Sequence, residues 1–496
     1  MTEALAHRTS AELRADSSRV VARLFLPGEQ PHEAHSRAGA IADRVLALDE
    51  TKVEQLATCL LEDYASRHLD YPQLLRRHAA IVAAHVDDPT RLSSARTLVL
   101  GASFTAEYAT EAAALCNPSA VVHPDQSGVQ PGQLRVAVSL RAIGEGHLSS
   151  ISFGTALIGP GPLWMFTDRE RPVVAGVAEP TRWSNDQLRA VLTDLTALTD
   201  QGSIDELSTA LLHALPVHFE ASDVERALAE TPVDLLIRPS TPASMDLLRR
   251  VVSSAYQVEF PESTTLTQRI LLPSAAEESG GMEDARFTRF TGPDGAVEYR
   301  ATYTAYDGRQ IAPRLLISPD LRRFRAHRLA GPAARNKGMA LFPRLVNGQH
   351  LALCRTDGEN ISLATSADGY TWSPPQLLHQ PARAWEMLQV GNCGPPIETD
   401  RGWLVLTHGV GPMRTYSIGA LLLQLDQPSH VIGRLSRPLL EPNPDERDGY
   451  VPNVVYSCGG LLHDGRLWLP YGIDDSRIGV AWAPLEELLS ELAATP

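Results

Sequence analysis

Cysteine is scarce and unpaired in this chain. Cys59, Cys116, Cys354, Cys393 and Cys458 are the only five in 496 residues, and no two stand in a Cys-x-x-Cys spacing. Their odd, scattered distribution argues against a zinc site or a disulfide framework and for a reducing compartment. No metal and no organic cofactor are expected. Long apolar runs are also missing, since nothing approaches the roughly 18 to 20 residues that a membrane helix needs. The opening MTEALAHRTSAELRADSS lacks the apolar core of a secretion signal. A soluble, cytoplasmic protein with no membrane partner is the expectation. Basic charge is in deficit, with 44 Lys and Arg against 59 Asp and Glu, a net charge of −15, and no long run of one sign. Such a chain repels a phosphodiester backbone, so nucleic acid is not an expected partner. A small anion remains open, because a local basic cluster overrides the global sign.

Hydrophobic residues make up 43% of the chain, enough to fill the cores of two or three domains. Five strand pairs of one type recur. Their first strands read Val136–Arg141, Arg300–Asp307, Leu351–Arg355, Trp403–His408 and Leu467–Asp475, each turning over at a polar or ionisable residue. A second apolar run follows each turn, as at Ile361 and Ile478. The intervals between Ala301, Ala352, Leu404 and Trp468 are 51, 52 and 64 residues. A strand-built period near 40 to 50 residues is the mark of a propeller, and five units predict five blades around one central pit. A second device repeats 48 residues apart: Ser318-x-Asp320 with Phe324, and Ser366-x-Asp368 with Trp372. Ser and Asp side chains at that spacing bond nearby backbone amides and make turns, so this repeat is read as structural.

The period changes along the chain. Residues 1–95 read as a helical region, with apolar positions such as Val45, Val53, Leu56 and Leu60 at helical spacing. Residues 96–182 alternate and hold the first strand pair, as expected of a first blade. Residues 183–256 read as a helical insertion announced by three capping boxes, Ser184 with Gln187, Ser203 with Glu206 and Ser222 with Glu225. Residues 257–490 return to strands and turns and would hold the remaining blades. The expected fold is thus mainly β: a five-bladed β-propeller with an N-terminal helical domain and a helical insertion after the first blade. Such helical layers serve packing, access to a site, or assembly into a homo-oligomer.

The sharpest segment is Gly280-Gly-Met-Glu-Asp284-Ala-Arg286-Phe. Strand alternation places Glu283 and Asp284 on opposite faces and Arg286 on the face of Asp284. A carboxyl group beside a guanidinium is ordinarily ionised, so the pair alone reads as a salt bridge. Other segments join it: Arg335-Asn-Lys337 before Ala340-Leu-Phe-Pro343, the stiff loop Asn392-Cys-Gly-Pro-Pro396, His408-Gly-Val with Tyr416 eight residues on, and Gly449-Tyr-Val-Pro-Asn453-Val-Val. If Arg141, Lys337, Arg355, His408 and Tyr416 converge on one pit, they form a set of donors suited to an oxyanion such as phosphate.

Taken in order, these motifs resemble glycoside hydrolase family 130, the mannoside phosphorylases and related mannosidases, over about residues 110–170 and 257–490. The resemblance also rests on Tyr303-Thr-Ala-Tyr-Asp307-Gly, the strand from Tyr416 to Asp426 with its Gln-Pro turn, Tyr471-Gly-Ile-Asp-Asp475, and the first-blade elements Asn117-Pro-Ser and Arg141. It implies inverting, reversible phosphorolysis of a β-mannosidic bond, giving α-mannose 1-phosphate, with Asp284 as proton donor and inorganic phosphate as co-substrate. His408 and Tyr416 match the family's phosphate-contacting pair, joined here by Arg141, Lys337 and Arg355. Asn117, Glu283, Arg286, Tyr303, Asp307, Asn392 and Asp475 are then the expected contacts to a β-mannoside oligosaccharide or mannosyl-sugar. The family's usual proline after Glu-Asp is Ala285 here, and both helical blocks exceed the minimal family domain. A water-using mannosidase would need a second carboxylate; Glu145, Glu386 or Glu446 could provide it. A mannosyltransferase on the same scaffold and a non-catalytic sugar-binding propeller are the remaining readings.

Overall fold

The strands fall into five antiparallel meanders in the computed structural model, which describes residues 5–27, 37–83, 92–197 and 204–494. Meander I comprises Ala114–Val122, Leu134–Ile143, Ser149–Ile158 and Trp164–Phe166. Meander II comprises Gly281–Thr291, Val297–Tyr306, Ile311–Ser318 and Arg323–Arg328. Meander III runs from Ala340–Leu341 through His350–Cys354 and Ile361–Ser366 to Gln376–His379. Meander IV is built from Gln389–Asn392, Gly402–Val410, Tyr416–Leu423 and Val431–Arg434. Meander V consists of Val455–Tyr456, Arg466–Ile473 and Arg477–Pro484, with His7–Arg14 from the start of the chain as its outer strand. The five first strands of the sequence pairs all fall in the second strand of a meander.

Backbone contacts join the meanders in a cycle. Gly281 pairs with Ser149 between I and II, and the Thr291 amide donates to Pro343 at 2.8 Å between II and III. Val390 donates to Glu359 between III and IV, Tyr416 to Asn453 between IV and V, and Ala120 to Gly459 between I and V. Each junction has its own apolar filling. Ile151 and Phe153 meet Phe287 and Ala301, Leu315 and Ile317 meet Ala352 and Trp372, and Leu353 and Leu363 meet Trp403 and Leu421. Leu404 and Ile418 meet Leu467 and Leu469, and Leu115 and Val136 meet Trp468 and Ile478. At about 1.5–3 kcal/mol per buried large aliphatic or aromatic side chain, these five junctions supply most of the drive to keep the sheets together.

The repeated Ser-x-Asp device is a turn at both places. Ser318 accepts from the Leu321 amide and Asp320 from those of Arg322 and Arg323, while Asp368 accepts from Tyr370 and Thr371. Phe324 and Trp372 are buried beneath.

Helices occupy Arg37–Leu46, Glu50–Tyr64, Tyr71–Val82 and Ser94–Ser103, and a second set runs from Asn185–Ala197 to Thr241–Val252. Each set encloses its own apolar cluster. Four features depart from the sequence reading. Strands His7–Arg14 and Val20–Leu24 lie inside the stretch read as helical, because each completes an edge supplied from far along the chain. Of the capping boxes, Ser184 with Gln187 forms, the Gln187 amide donating to Ser184 Oγ at 3.1 Å. Ser203 lies outside the described residues, and the next helix is capped by Asp205. Ser222 is already inside its helix, where Glu220 and Asp223 make the box instead. Finally, Leu485–Ala493 is a helix, whose Leu488, Leu489 and Leu492 seal the junction of meanders IV and V. Among the described residues no helix is long and apolar enough to cross a membrane.

Candidate active site

Two strand irregularities face one another. Ala114–Val122 bulges between Cys116 and Ser119, with Asn117 at φ 50°. Gly281–Thr291 bulges between Glu283 and Arg286, with Asp284 at φ 56°. Asn and Asp tolerate this left-handed conformation better than most residues. The Asn117 amide donates to Asp284 Oδ1 at 2.6 Å. The bulge also corrects the alternation argument. Glu283 and Asp284 do not point to opposite faces, because the extra residue turns both carboxylates toward Arg141. Arg141 donates to Glu283 at 2.7 Å and reaches Asp284 Oδ1 at 3.5 Å. Lys337 Nζ closes the other side of Glu283 at 2.5 Å, and Ser149 Oγ accepts from Arg141 Nε.

Arg286 is fully buried and spends its donors on three segments: the Asp284 carbonyl at 2.8 Å, the Cys393 carbonyl at 2.9 Å and the Tyr456 hydroxyl at 2.8 Å. Tyr456 carries the site onward, its ring edge-on to His408 at 4.9 Å. His408 stacks on Tyr416 with centroids 6.0 Å apart and 13° between planes. Arg355 meets His408 Nε2 at 3.1 Å, and with its amide turned Gln389 also accepts from Arg355. Gly391 is needed here, because a Cβ would lie 2.4 Å from the His408 ring. Asn392 fixes the neighbouring loop by donating to the Gly338 carbonyl at 2.7 Å, beside Lys337. Residues from all five meanders or their connecting turns thus meet around Asp284.

The electrostatics of the group are uneven. Burial on its own would raise the Asp284 carboxyl, but the charges of Arg141, Arg286 and Lys337 and the bond from Asn117 outweigh it and hold it at about 2. Asp475, at the turn after Arg466–Ile473, goes the other way. Burial and repulsion from Asp284, Asp474 and Glu283 push it up to about 6 against the opposing pull of Arg141. His408 is pushed well below the usual imidazole range by burial, then by Arg355 and Arg286, so it is neutral at pH 7. Among the described residues the Nε of Arg355 is buried without a partner.

Two expected sugar contacts are not part of this group. The Tyr303 hydroxyl is committed to the buried carboxylate of Glu278, which also receives Tyr256 and pairs with Arg314. A buried phenol needs an acceptor, and this one stands on the short turn Ala276–Glu278 just before meander II. Asp307 is exposed and caps its turn, accepting from the Arg309 and Gln310 amides. Of the candidate second carboxylates, Glu386 caps its own short helix and Glu446 is held by Arg8 and Tyr471. Glu145 stays exposed on the turn after Arg141. Tyr456 and Ser149 are site residues the sequence reading missed. Tyr456 stands one residue beyond the Gly-Tyr-Val-Pro-Asn-Val-Val motif, and its signal was the loop already recognised. A cavity of about 1090 Å³, lined by His123, Asp125, Arg269 and Arg322 among others, holds none of these residues. Among the described residues no group of three or more His, Cys, Asp or Glu could hold a metal ion.

Asp475 offers a measurable consequence. Its carboxyl is higher in the folded protein than the ordinary 3.8, so its stabilising contribution is complete below about pH 4 and is lost as pH rises through 6. Asp475→Asn should therefore be more stable than the parent at pH 8, by about 2–3 kcal/mol at most, with the gain vanishing near pH 4. Urea denaturation at both pH values measures it, and an equal difference at both would remove the argument.

The chain is similar to several known proteins. The model of the family described as beta-1,4-mannooligosaccharide phosphorylase matches residues 256–493. A Beta-1,2-mannobiose phosphorylase of Thermoanaerobacter sp. (strain X514) is 35% identical over 216 residues, covering 43% of this chain and 70% of that protein. A 1,2-beta-oligomannan phosphorylase of the same organism is 39% identical over 155 residues, covering 31% of this chain and 52% of the relative. Among solved structures, a Beta-1,2-mannobiose phosphorylase from Listeria innocua in complex with beta-1,2-mannobiose aligns with 78% of this chain and 93% of its own, at 19% identity and a TM-score of 0.44. The chain spans about half of one of these curated relatives and more than two thirds of the other. It belongs to glycoside hydrolase family 130.

Proposed function

We propose that this protein catalyses reversible, inverting phosphorolysis of a β-mannosidic bond, releasing α-mannose 1-phosphate, with Asp284 as proton donor. The five meanders are read as the blades of a propeller whose turns build the site. The organisation proposed is an N-terminal helical region, a first blade, a helical insertion and the remaining blades.

The observation that carries the reading is Arg355. It is a half-buried guanidinium with no carboxylate in salt-bridge range among the described residues, set against a neutral His408 that stacks on the half-buried Tyr416. A cation in such a place calls for an anion from outside, and a guanidinium fork suits phosphate. Arg141 and Lys337 would contribute from the Glu283 side, and Asn117, Glu283, Arg286, Asn392 and Asp475 would shape the mannose pocket. Phosphate arrives already anionic, so no second carboxylate is required to activate it. One of its oxygens bonds to the anomeric carbon from the face opposite the leaving sugar as the glycosidic bond breaks. The departing oxygen takes the Asp284 proton, relayed through a mannose hydroxyl, and the proton carried in by phosphate restores Asp284. The names of the relatives support phosphorolysis over hydrolysis. They include both β-1,2- and β-1,4-acting proteins, so the linkage is left to experiment.

An ionised Asp284 cannot donate, so phosphate binding must be coupled to its protonation. A bound dianion offsets Arg141, Arg286 and Lys337 and lifts the carboxyl. Calorimetry in two buffers of different ionisation enthalpy should show more proton uptake on phosphate binding by the parent than by Asp284→Asn. The same variant should lose about 10²–10⁴-fold in turnover of an unactivated mannoside. Equal uptake together with near-parental turnover would reject Asp284 as the donor.

Arg355→Ala and His408→Ala should raise KM for phosphate, by about tenfold or more for Arg355, while KM for the mannoside changes much less. Initial rates with each substrate varied decide this. Equal effects on both constants would make these residues supports of the sheet and not phosphate ligands.

A further inference from the structure

One pair of rings at the mouth of the site has no role in the account so far. The Tyr450 hydroxyl and His147 Nδ1 are 3.0 Å apart, and their rings lie 6.0 Å apart and only 30° from parallel. The two residues are 303 positions apart in sequence and belong to different meanders. His147 sits on the turn Glu145–His147, directly between the strand carrying Arg141 and Ser149, whose hydroxyl bonds Arg141. Tyr450 belongs to the loop before Val455–Tyr456, and that loop is braced on the Asp474–Asp475 turn. The Val451 amide donates to the Asp474 carbonyl at 2.8 Å, and Gly449 lies so close that a Cβ would meet the Asp474 Cβ at 2.3 Å. The pair therefore bridges the two turns that carry Arg141 and Asp475, the residues flanking Asp284.

Bonded as they are, the rings are not hidden. Tyr450 remains 46% exposed and His147 is exposed. A contact serving only to close the two loops would gain more by burying them. His147 is also held at φ 61° directly after Gly146 at φ 67°. That is an uncommon conformation for a side-chain-bearing residue, costing about 1–3 kcal/mol, and such outliers gather at ligand clamps. The two rings stack on one another at the surface, and the outer face of the pair is apolar with polar edges. That is the surface the C–H face of a pyranose stacks on, while its hydroxyls bond at the rim.

We infer that the His147–Tyr450 pair is the platform for the sugar on the leaving-group side of the scissile bond, and that it sets acceptor affinity in the synthetic direction. This rests on the phosphorylase reading above. The pair makes no bond to Asp284, Arg355 or His408, so it should act on acceptor binding and not on the phosphate end.

The test is synthesis from mannose 1-phosphate with mannose as acceptor, each substrate varied in turn. Tyr450→Ala and His147→Ala should each raise KM for the acceptor about tenfold and leave KM for mannose 1-phosphate within about twofold. Tyr450→Phe keeps the ring and loses only the hydroxyl bridge, so its acceptor KM should stay within about threefold of the parent's. If Tyr450→Ala fails to fold, His147→Ala carries the decision. Unchanged acceptor KM, parallel rises in both constants, or a Phe variant as impaired as the Ala variant would overturn the platform while leaving the phosphorylase reading intact. A parent protein that makes no mannoside from mannose 1-phosphate would overturn both.

Discussion

The guanidinium of Arg286 has to be satisfied where no water reaches it, and the way it is satisfied organises the centre of the molecule. Its partners are the carbonyl of its own neighbour Asp284, the carbonyl of Cys393 after the first strand of meander IV, and the hydroxyl of Tyr456 in meander V. Asn117 of meander I completes the set through Asp284. A buried charge that loses a partner costs several kcal/mol, so these bonds act as a constraint on how the meanders can approach each other. The apolar junctions between meanders provide non-directional attraction. Arg286 and its partners provide the registry, and the same registry brings the Asp284 carboxylate toward His408, the neutral imidazole that Arg355 meets.

That arrangement gives neighbouring carboxyl groups opposite tendencies. Asp284 lies among Arg141, Arg286, Lys337 and Asn117 and is held at about 2, while Asp475 is pushed up to about 6 by burial and then by Asp284, Asp474 and Glu283. The site therefore holds one carboxylate ionised among cations and one carboxyl ready to protonate near neutrality. Near them stands Arg355, with no carboxylate in salt-bridge range among the described residues. On the proposed reading a phosphate dianion would shift the balance for Asp284, because it would share the cations that now hold that charge. The helix Asn185–Ala197 touches this arrangement at one remove: Arg335, two residues before Lys337, is paired with its Asp194 at 3.1 Å.

Much of this was legible in the sequence because it is carried by repeating or local signals. Alternating apolar strands at regular intervals exposed the meanders, and Ser-x-Asp exposed their turns. The residues that end those strands, Arg141, Arg355, His408 and Asp475, do gather around Asp284. The rest depended on geometry that one-dimensional patterns do not hold. Period-two alternation separates Glu283 from Asp284, but a single bulge reunites them. Tyr303 and Asp307 sit in a motif that resembles the family's, yet one is claimed by a buried glutamate and the other by its own turn. The strand His7–Arg14 was read as helix because its pairing partner is nearly the whole chain away. Tyr456 was missed because nothing in a loop sequence states which buried guanidinium its phenol will meet.

The central claim is that an anion from solution, and not water, takes the mannosyl group at this site. Proton and phosphorus NMR of a reaction containing β-1,2- or β-1,4-mannobiose tests it most directly, run with and without inorganic phosphate. The account predicts α-mannose 1-phosphate and free mannose in equal amounts when phosphate is present, and no cleavage when it is absent. Release of two mannose molecules at the same rate in both reactions, with no phosphorylated product, would contradict it.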